Sequence, residues 1–134
     1  MYDVLIAVDN VDDERAVAQA EAVAELPAAT AEVTAHLCHV FQDNPEGASV
    51  NQVSAVRRAR DRLEDAGVTC THYEASGDPG DELLLAADEI DADVICVSGR
   101  KRSPTGKAVF GSVTQDVILS GEYTVMSVPA PDQN

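Results

Sequence analysis

The chain has 134 residues, 45 % of them apolar, which is the length of one domain and enough hydrophobic material to close a core without disulfides or metals. Its 24 Asp and Glu stand against 7 Arg and 2 Lys, and the formal charge of −15 is spread along the sequence, which excludes bulk nucleic-acid binding. No apolar run approaches transmembrane length, so a helical membrane protein is excluded as well.

The first strand signal is Val4-Leu-Ile-Ala-Val8, a continuous apolar run that ends at Asp9 and suits a strand covered on both faces. A helix follows from Asp12 or Asp13, acidic at its start, with Ala16, Val17, Ala20, Val23 and Ala24 on one side and Pro27 closing it. A second strand runs from about Glu32 to Val40. After a polar loop containing Asp43, Asn44, Pro45 and Gly47, Ser49 and Gln52 have capping-box spacing before a helix with Val50, Val53, Val56 and Leu63 inward. Gly67 ends that helix, and Val68 to Ala75 reads as the third strand. Asp78-Pro79 supplies an N-cap with proline at the first helical position, ahead of Leu83, Leu84, Ala87 and Ile90. Asp93 to Ser98 is the fourth strand, Ser112 to about Ser120 a short helix with Ser112 and Gln115 at capping-box spacing, and Tyr123 to Val128 the fifth strand, ended by Pro129. The sequence predicts one domain over 1–134 with a frayed tail at 130–134.

Strands alternating with helices imply right-handed crossovers and a single open five-stranded parallel sheet of the α/β class, with helices on both faces. Ligands of such sheets sit outside the carboxyl ends of the strands, where the strand order reverses. The segment from Ser98 to Thr114 lies at such an end and carries Arg100, Lys101, Arg102 and Lys107, four of the nine basic residues. Gly99, Gly106 and Gly111 allow close backbone approach there, and the amides of the helix opened by Ser112 face whatever lies in the loop. It reads as an anion-binding loop, and in so acidic a protein it is the place for a phosphate.

Val4-Leu-Ile-Ala-Val-Asp9, His39-Val40, Asp93-Val-Ile-Cys-Val-Ser-Gly99, Phe110-Gly-Ser112 and Val125-Met-Ser-Val-Pro129 together resemble the universal stress protein family over nearly the whole chain. The resemblance implies a Rossmann-like sheet of order 3-2-1-4-5 and a dimeric stress-response or signalling module that binds ATP or another adenine nucleotide, with Mg accompanying the phosphates. It also implies residue roles. Asp9 contacts the ribose or adenine, the Val40 backbone reads the adenine edge, Gly99 lies against ribose and phosphate, and Gly111, Ser112 and Val113 hold the phosphates. The implied homodimer pairs the strand at 123–128 with its copy across a two-fold axis. One position departs from the family's Gly-x-x-Gly signature: Arg102 stands where the second Gly is expected. Its guanidinium either replaces a backbone contact with a charge-assisted bond to phosphate or occupies the phosphate site itself.

Several positions also admit plainer roles. Asp9 suits a turn or helix N-cap, and Arg57, Arg58, Arg60 and Arg62 read as a solvated helix face paired as Arg57 with Asp61 and Arg60 with Glu64. His36 and His39 leave opposite faces of one strand and His72 lies on another, so no metal site is expected. Cys38, Cys70 and Cys96 lack CxxC spacing and sit in apolar runs, as small core residues of a reducing compartment. Met1-Tyr-Asp-Val leads straight into a strand without a signal peptide, so a cytoplasmic location is expected. The spacing shows no nucleophile-base-acid constellation, which leaves two competitors to a nucleotide-binding module: a same-fold interaction protein that binds no nucleotide, and a slow nucleotide hydrolase or transferase. The acid-rich, Lys-poor composition resembles that of extremely halophilic archaea, where a Debye length of about 3 Å near 1 M salt tolerates such charge density.

Overall fold

The computed structural model describes residues 2–8, 13–41, 53–102, 108–110 and 112–129, without the side chains of 100–102, 108–110 and 112. In chain order the elements are β1 (Tyr2–Ala7), α1 (Asp13–Ala24), α2 (Ala29–Glu32), β2 (Val33–Phe41), α3 (Ser54–Asp65), β3 (Thr69–Ser76), α4 (Pro79–Ile90), β4 (Val94–Ser98), β5 (Arg100–Arg102), β6 (Ala108–Phe110), α5 (Ser112–Ser120) and β7 (Thr124–Val128). Five of the strands form one parallel sheet in the order β3-β2-β1-β4-β7. This is the doubly wound order expected, with β7 as its fifth strand.

Both faces of the sheet are covered, which explains the unbroken apolar runs. On one face Val4, Ile6, Ala35, Leu37 and Cys96 pack against Ala16, Ala20 and Val23 of α1 and Val56, Ala59 and Leu63 of α3. On the other, Leu5, Cys38, Ile95 and Val97 meet Leu83, Ala86 and Ala87 of α4 and Val117 of α5. Of the two ion pairs anticipated on α3, Arg60 with Glu64 forms at 3.7 Å, whereas Asp61 lies 3.9 Å from Arg60 and is not bridged to Arg57; other bridges of these arginines cross to α1, Arg58 reaching Glu14 at 2.9 Å and Arg62 reaching Glu21 at 3.2 Å. Two tyrosines fasten the far end of α4, Tyr73 donating from β3 to Glu89 and Tyr123, just before β7, to Asp88.

Helix ends follow local chemistry. The Asp78 carboxylate accepts from the Asp81 amide at 3.1 Å with Pro79 behind it, the expected cap. At the end of α3, the Val68 amide bonds Leu63 O and the Gly67 amide bonds Glu64 O, both at 2.9 Å, with Gly67 at φ +78°. That is a Schellman closure, and the left-handed residue it needs is the glycine.

Three local expectations are corrected. The capping-box start at Ser49 and Gln52 lies outside the described residues, and α3 begins later, at Ser54, behind an extended Val53 with no side-chain cap. Val53 is buried and Ser54 Oγ donates to Asp13 Oδ2 of α1 at 2.6 Å, so packing and a cross-helix bond fix this start in place of a capping box. Glu32 belongs to the single turn α2, opened by Ala28 at φ +58°, and the second strand starts one residue later than expected, at Val33. The basic segment is a loop only in part, since β5 and β6 pair antiparallel, Arg100 with Phe110 and Arg102 with Ala108. The tail at 130–134 lies outside the described residues.

Candidate functional site

The strand order reverses between β1 and β4. Their register runs from Val4 with Val94 to Ile6 with Cys96, whereas β1 continues along β2, the Val8 amide bonding Cys38 O at 2.8 Å. A side chain takes over where the β1–β4 ladder stops. Gln19, fully buried on α1, donates its Nε2 hydrogens to Ala7 O at 2.9 Å and to Cys96 O at 3.2 Å. One side chain thereby ties the ends of both strands together where their ladder stops. The other amide atom, Oε1, is buried with no hydrogen-bond partner among the described residues.

Around this fork stand three of the residues singled out from the sequence. Val40 is the next-to-last residue of β2, paired with Ala75 of β3, its side chain packed on the α4 face of the sheet. Gly99 follows β4 directly and donates its amide to Val128 O at 2.6 Å. A Cβ on Gly99 would stand 1.9 Å from Ser127 Oγ and 3.2 Å from Val128 O, so any larger residue here would force the Ser127 hydroxyl to turn away and press on β7. Val113, half-buried in the first turn of α5, packs against the same cluster as Val40. Next to it Thr114 Oγ1 donates to Ser98 O at 3.2 Å and pins that turn to the end of β4. Arg102 ends β5 opposite Ala108 and Ser112 opens α5, both placed by their backbone alone. Asp9 and Gly111 lie outside the described residues.

His39 also reaches this end of the sheet. Its Nδ1 lies 2.9 Å from Val8 O, and because a carbonyl only accepts, Nδ1 carries the hydrogen. Phe41 meets the ring edge-on at 4.7 Å. Sequence reasoning passed over Gln19, although its place in the apolar stripe of Ala16, Ala20 and Val23 was a signal: a long polar side chain on a buried helix face needs a partner.

The thiols do not supply a nucleophile. Burial, the larger cause, and the nearby Glu82 push Cys38 up to about 12, and burial pushes Cys96 to about 12 against the opposing Gln19 hydrogen bond. Both stay protonated as core residues. Among the described residues no group of three or more His, Cys, Asp or Glu is placed to hold a metal ion, and no helix is long and apolar enough to cross a membrane.

The strand order and the fork are those of a doubly wound α/β protein, a class whose ligands bind at the carboxyl edge of the sheet. The model of the universal stress protein family matches residues 1–129, and the chain belongs to that family. A universal stress protein of Mycolicibacterium smegmatis is 37 % identical over 67 residues, a match covering 49 % of this chain and 52 % of that protein. The matched region thus spans about half the length of that curated relative. Among solved structures, a universal stress protein from Archaeoglobus fulgidus superposes with TM-score 0.74 at 28 % identity, covering 96 % of this chain and 98 % of that one. A universal stress protein in complex with cAMP gives 0.71 at 23 % identity over 97 % and 98 % of the two chains. An Arabidopsis thaliana family protein with AMP bound gives 0.68 at 19 % identity over 98 % and 93 %.

Proposed function

We propose that the chain is a homodimeric stress or signalling module that binds an adenine nucleotide, with ATP as the reference ligand, across the carboxyl ends of β1 and β4. The observation that carries this reading is the fork itself: the β1–β4 ladder stops at Ile6 and Cys96, and Val40, Gly99 and the first turn of α5 gather beyond it. The cAMP- and AMP-bound relatives of the same fold support the choice of adenine nucleotides.

In this reading the Val40 backbone meets the adenine edge, Asp9 the ribose, Gly99 the ribose and first phosphate, and Gly111, Ser112 and Val113 the phosphates. The N-terminal amides of α5 donate to phosphate oxygens, and a helix N-terminus favours that charge. Arg102 adds a charge-assisted bond in place of the glycine contact that the family signature has. Mg would neutralise the phosphates from the solvent side, with no dedicated carboxylate cage assigned to it. The role is binding and not turnover, since held phosphates without a positioned base do not complete phosphoryl transfer.

Calorimetric titration with ATP, ADP and AMP in molar KCl tests the reading. Arg102→Ala is expected to weaken ATP about tenfold or more, as loss of a charge-assisted bond of roughly 1.5 to 3 kcal/mol requires. Gly111→Val is expected to abolish binding. No measurable heat with wild type and with Arg102→Gly alike would end the nucleotide reading, and unchanged affinity in Gly111→Val would remove the site from this loop.

A further inference from the structure

At the amino end of the sheet, opposite Val40 and Gly99, three side chains from three adjacent strands form a hydrogen-bonded row. Thr71 Oγ1 of β3 lies 2.8 Å from His36 Nδ1 of β2, and His36 Nε2 lies 2.9 Å from Asp3 Oδ1 of β1. The register places them on one face: Leu5 pairs with His36 and His36 with Thr71, while Asp3 is two residues back along β1. A carboxylate only accepts, so Nε2 carries the imidazole hydrogen and Nδ1 is left with its lone pair toward the threonine hydroxyl. The Thr71 O–H therefore donates to His36, and His36 donates to Asp3.

The base is also held in place. Asp3 is fixed by a reciprocal pair with Asp93, its amide donating to Asp93 Oδ2 at 2.7 Å and the Asp93 amide donating to Asp3 O at 2.8 Å. The His36 and Asp3 side chains are 15 % and 27 % exposed, largely withdrawn from water, whereas Thr71 is exposed on the edge strand. A hydroxyl open to solvent, a base that can take its proton and a carboxylate that orients the base are the parts of an activated oxygen nucleophile.

We infer that Thr71 is an acyl-acceptor site, activated by His36 and Asp3, that takes an acyl group from an uncharged or cationic activated ester. In the step, Thr71 Oγ1 attacks the ester carbonyl carbon while its proton passes to His36 Nδ1. Asp3 stabilises the resulting imidazolium. Collapse of the tetrahedral adduct breaks the bond to the leaving oxygen, which departs with the proton from His36, and the acyl group remains as a threonine ester. The donor preference follows from the surroundings, because Asp3, Asp93 and the Tyr73-bound Glu89 crowd this end with negative charge and repel an anionic donor.

The test uses the full chain in molar KCl with p-nitrophenyl acetate as probe. One equivalent of p-nitrophenolate per chain is expected in a burst, with the acetyl group located on Thr71 by tandem mass spectrometry of the wild type. Thr71→Ser is expected to retain the burst, and His36→Gln to slow it about 100-fold or more with an unchanged circular dichroism spectrum. Acetyl found only on lysines or the amino terminus of the wild type would overturn the inference. So would an undiminished burst in Thr71→Val, which would make His36 the nucleophile, or an undiminished rate in His36→Gln. Nucleotide binding enters none of these readouts, so the two proposals fail separately.

Discussion

Gln19 does at the fork what a neighbouring strand does elsewhere in the sheet. Its amide bonds Ala7 O and Cys96 O and so bridges the two strands at the point where β1 and β4 separate. Gln19→Leu keeps the bulk and removes both hydrogen bonds. A loss of about 2 kcal/mol is expected, within the range for two intramolecular hydrogen bonds, read as a lower denaturation midpoint with unchanged slope in molar KCl. An unchanged midpoint would show that the fork does not depend on this amide. The need of Gln19 for a partner was legible from its place in the apolar stripe, but the partners were not, because they are main-chain carbonyls, which no side-chain motif encodes. Gly99 was legible as a position through the phosphate signature, whereas its close approach to Ser127 of β7, 28 residues further along, was not.

At the scale of elements, the apolar runs and the Asp78 and Gly67 signals were enough to place the five sheet strands and the ends of two helices, because those signals are local. The start of α3 was displaced because Val53 burial and the Ser54–Asp13 bond are tertiary. The β5–β6 hairpin escaped notice because strands of three residues, one of them Arg-Lys-Arg, carry no alternation of apolar and polar positions. Of the candidate site, Val40, Gly99 and Val113 stand at the carboxyl end of the sheet, while Asp9 and Gly111 lie outside the described residues. The edge strand β7, Thr124-Val-Met-Ser-Val128, bears no charge to discourage pairing, which supports the proposed dimer through this strand. Light scattering at micromolar concentration in high salt is expected to give twice the chain mass, and Val125→Lys to shift it toward one chain. A wild type that is monomeric throughout would reject this interface.

For the molecule as a whole, the packing of the sheet does nothing to relieve the repulsion among its acids. The bridges of Arg58 to Glu14 and Arg62 to Glu21 join α1 to α3, but their side chains are about half exposed, and such pairs contribute little each. They leave most of the 24 acidic residues to repel one another. Screening length falls from about 8 Å at physiological ionic strength to about 3 Å at 1 M, so the melting temperature is expected to rise with KCl into the molar range. A flat or falling melting temperature across that range would contradict the halophilic reading of the composition.

The two tyrosine bonds at the end of α4 acquire a meaning at this scale. Tyr73 belongs to one edge strand and Tyr123 leads into the other, and both end on neighbouring acids of a single helix. The helix thus acts as a crossbeam between the two margins of the sheet, and neither margin can detach alone without breaking a tie to it. Partial opening is accordingly expected to be concerted, with α4, β3 and β7 exchanging their amide hydrogens as one unit; clearly unequal protection of the two edges would contradict it.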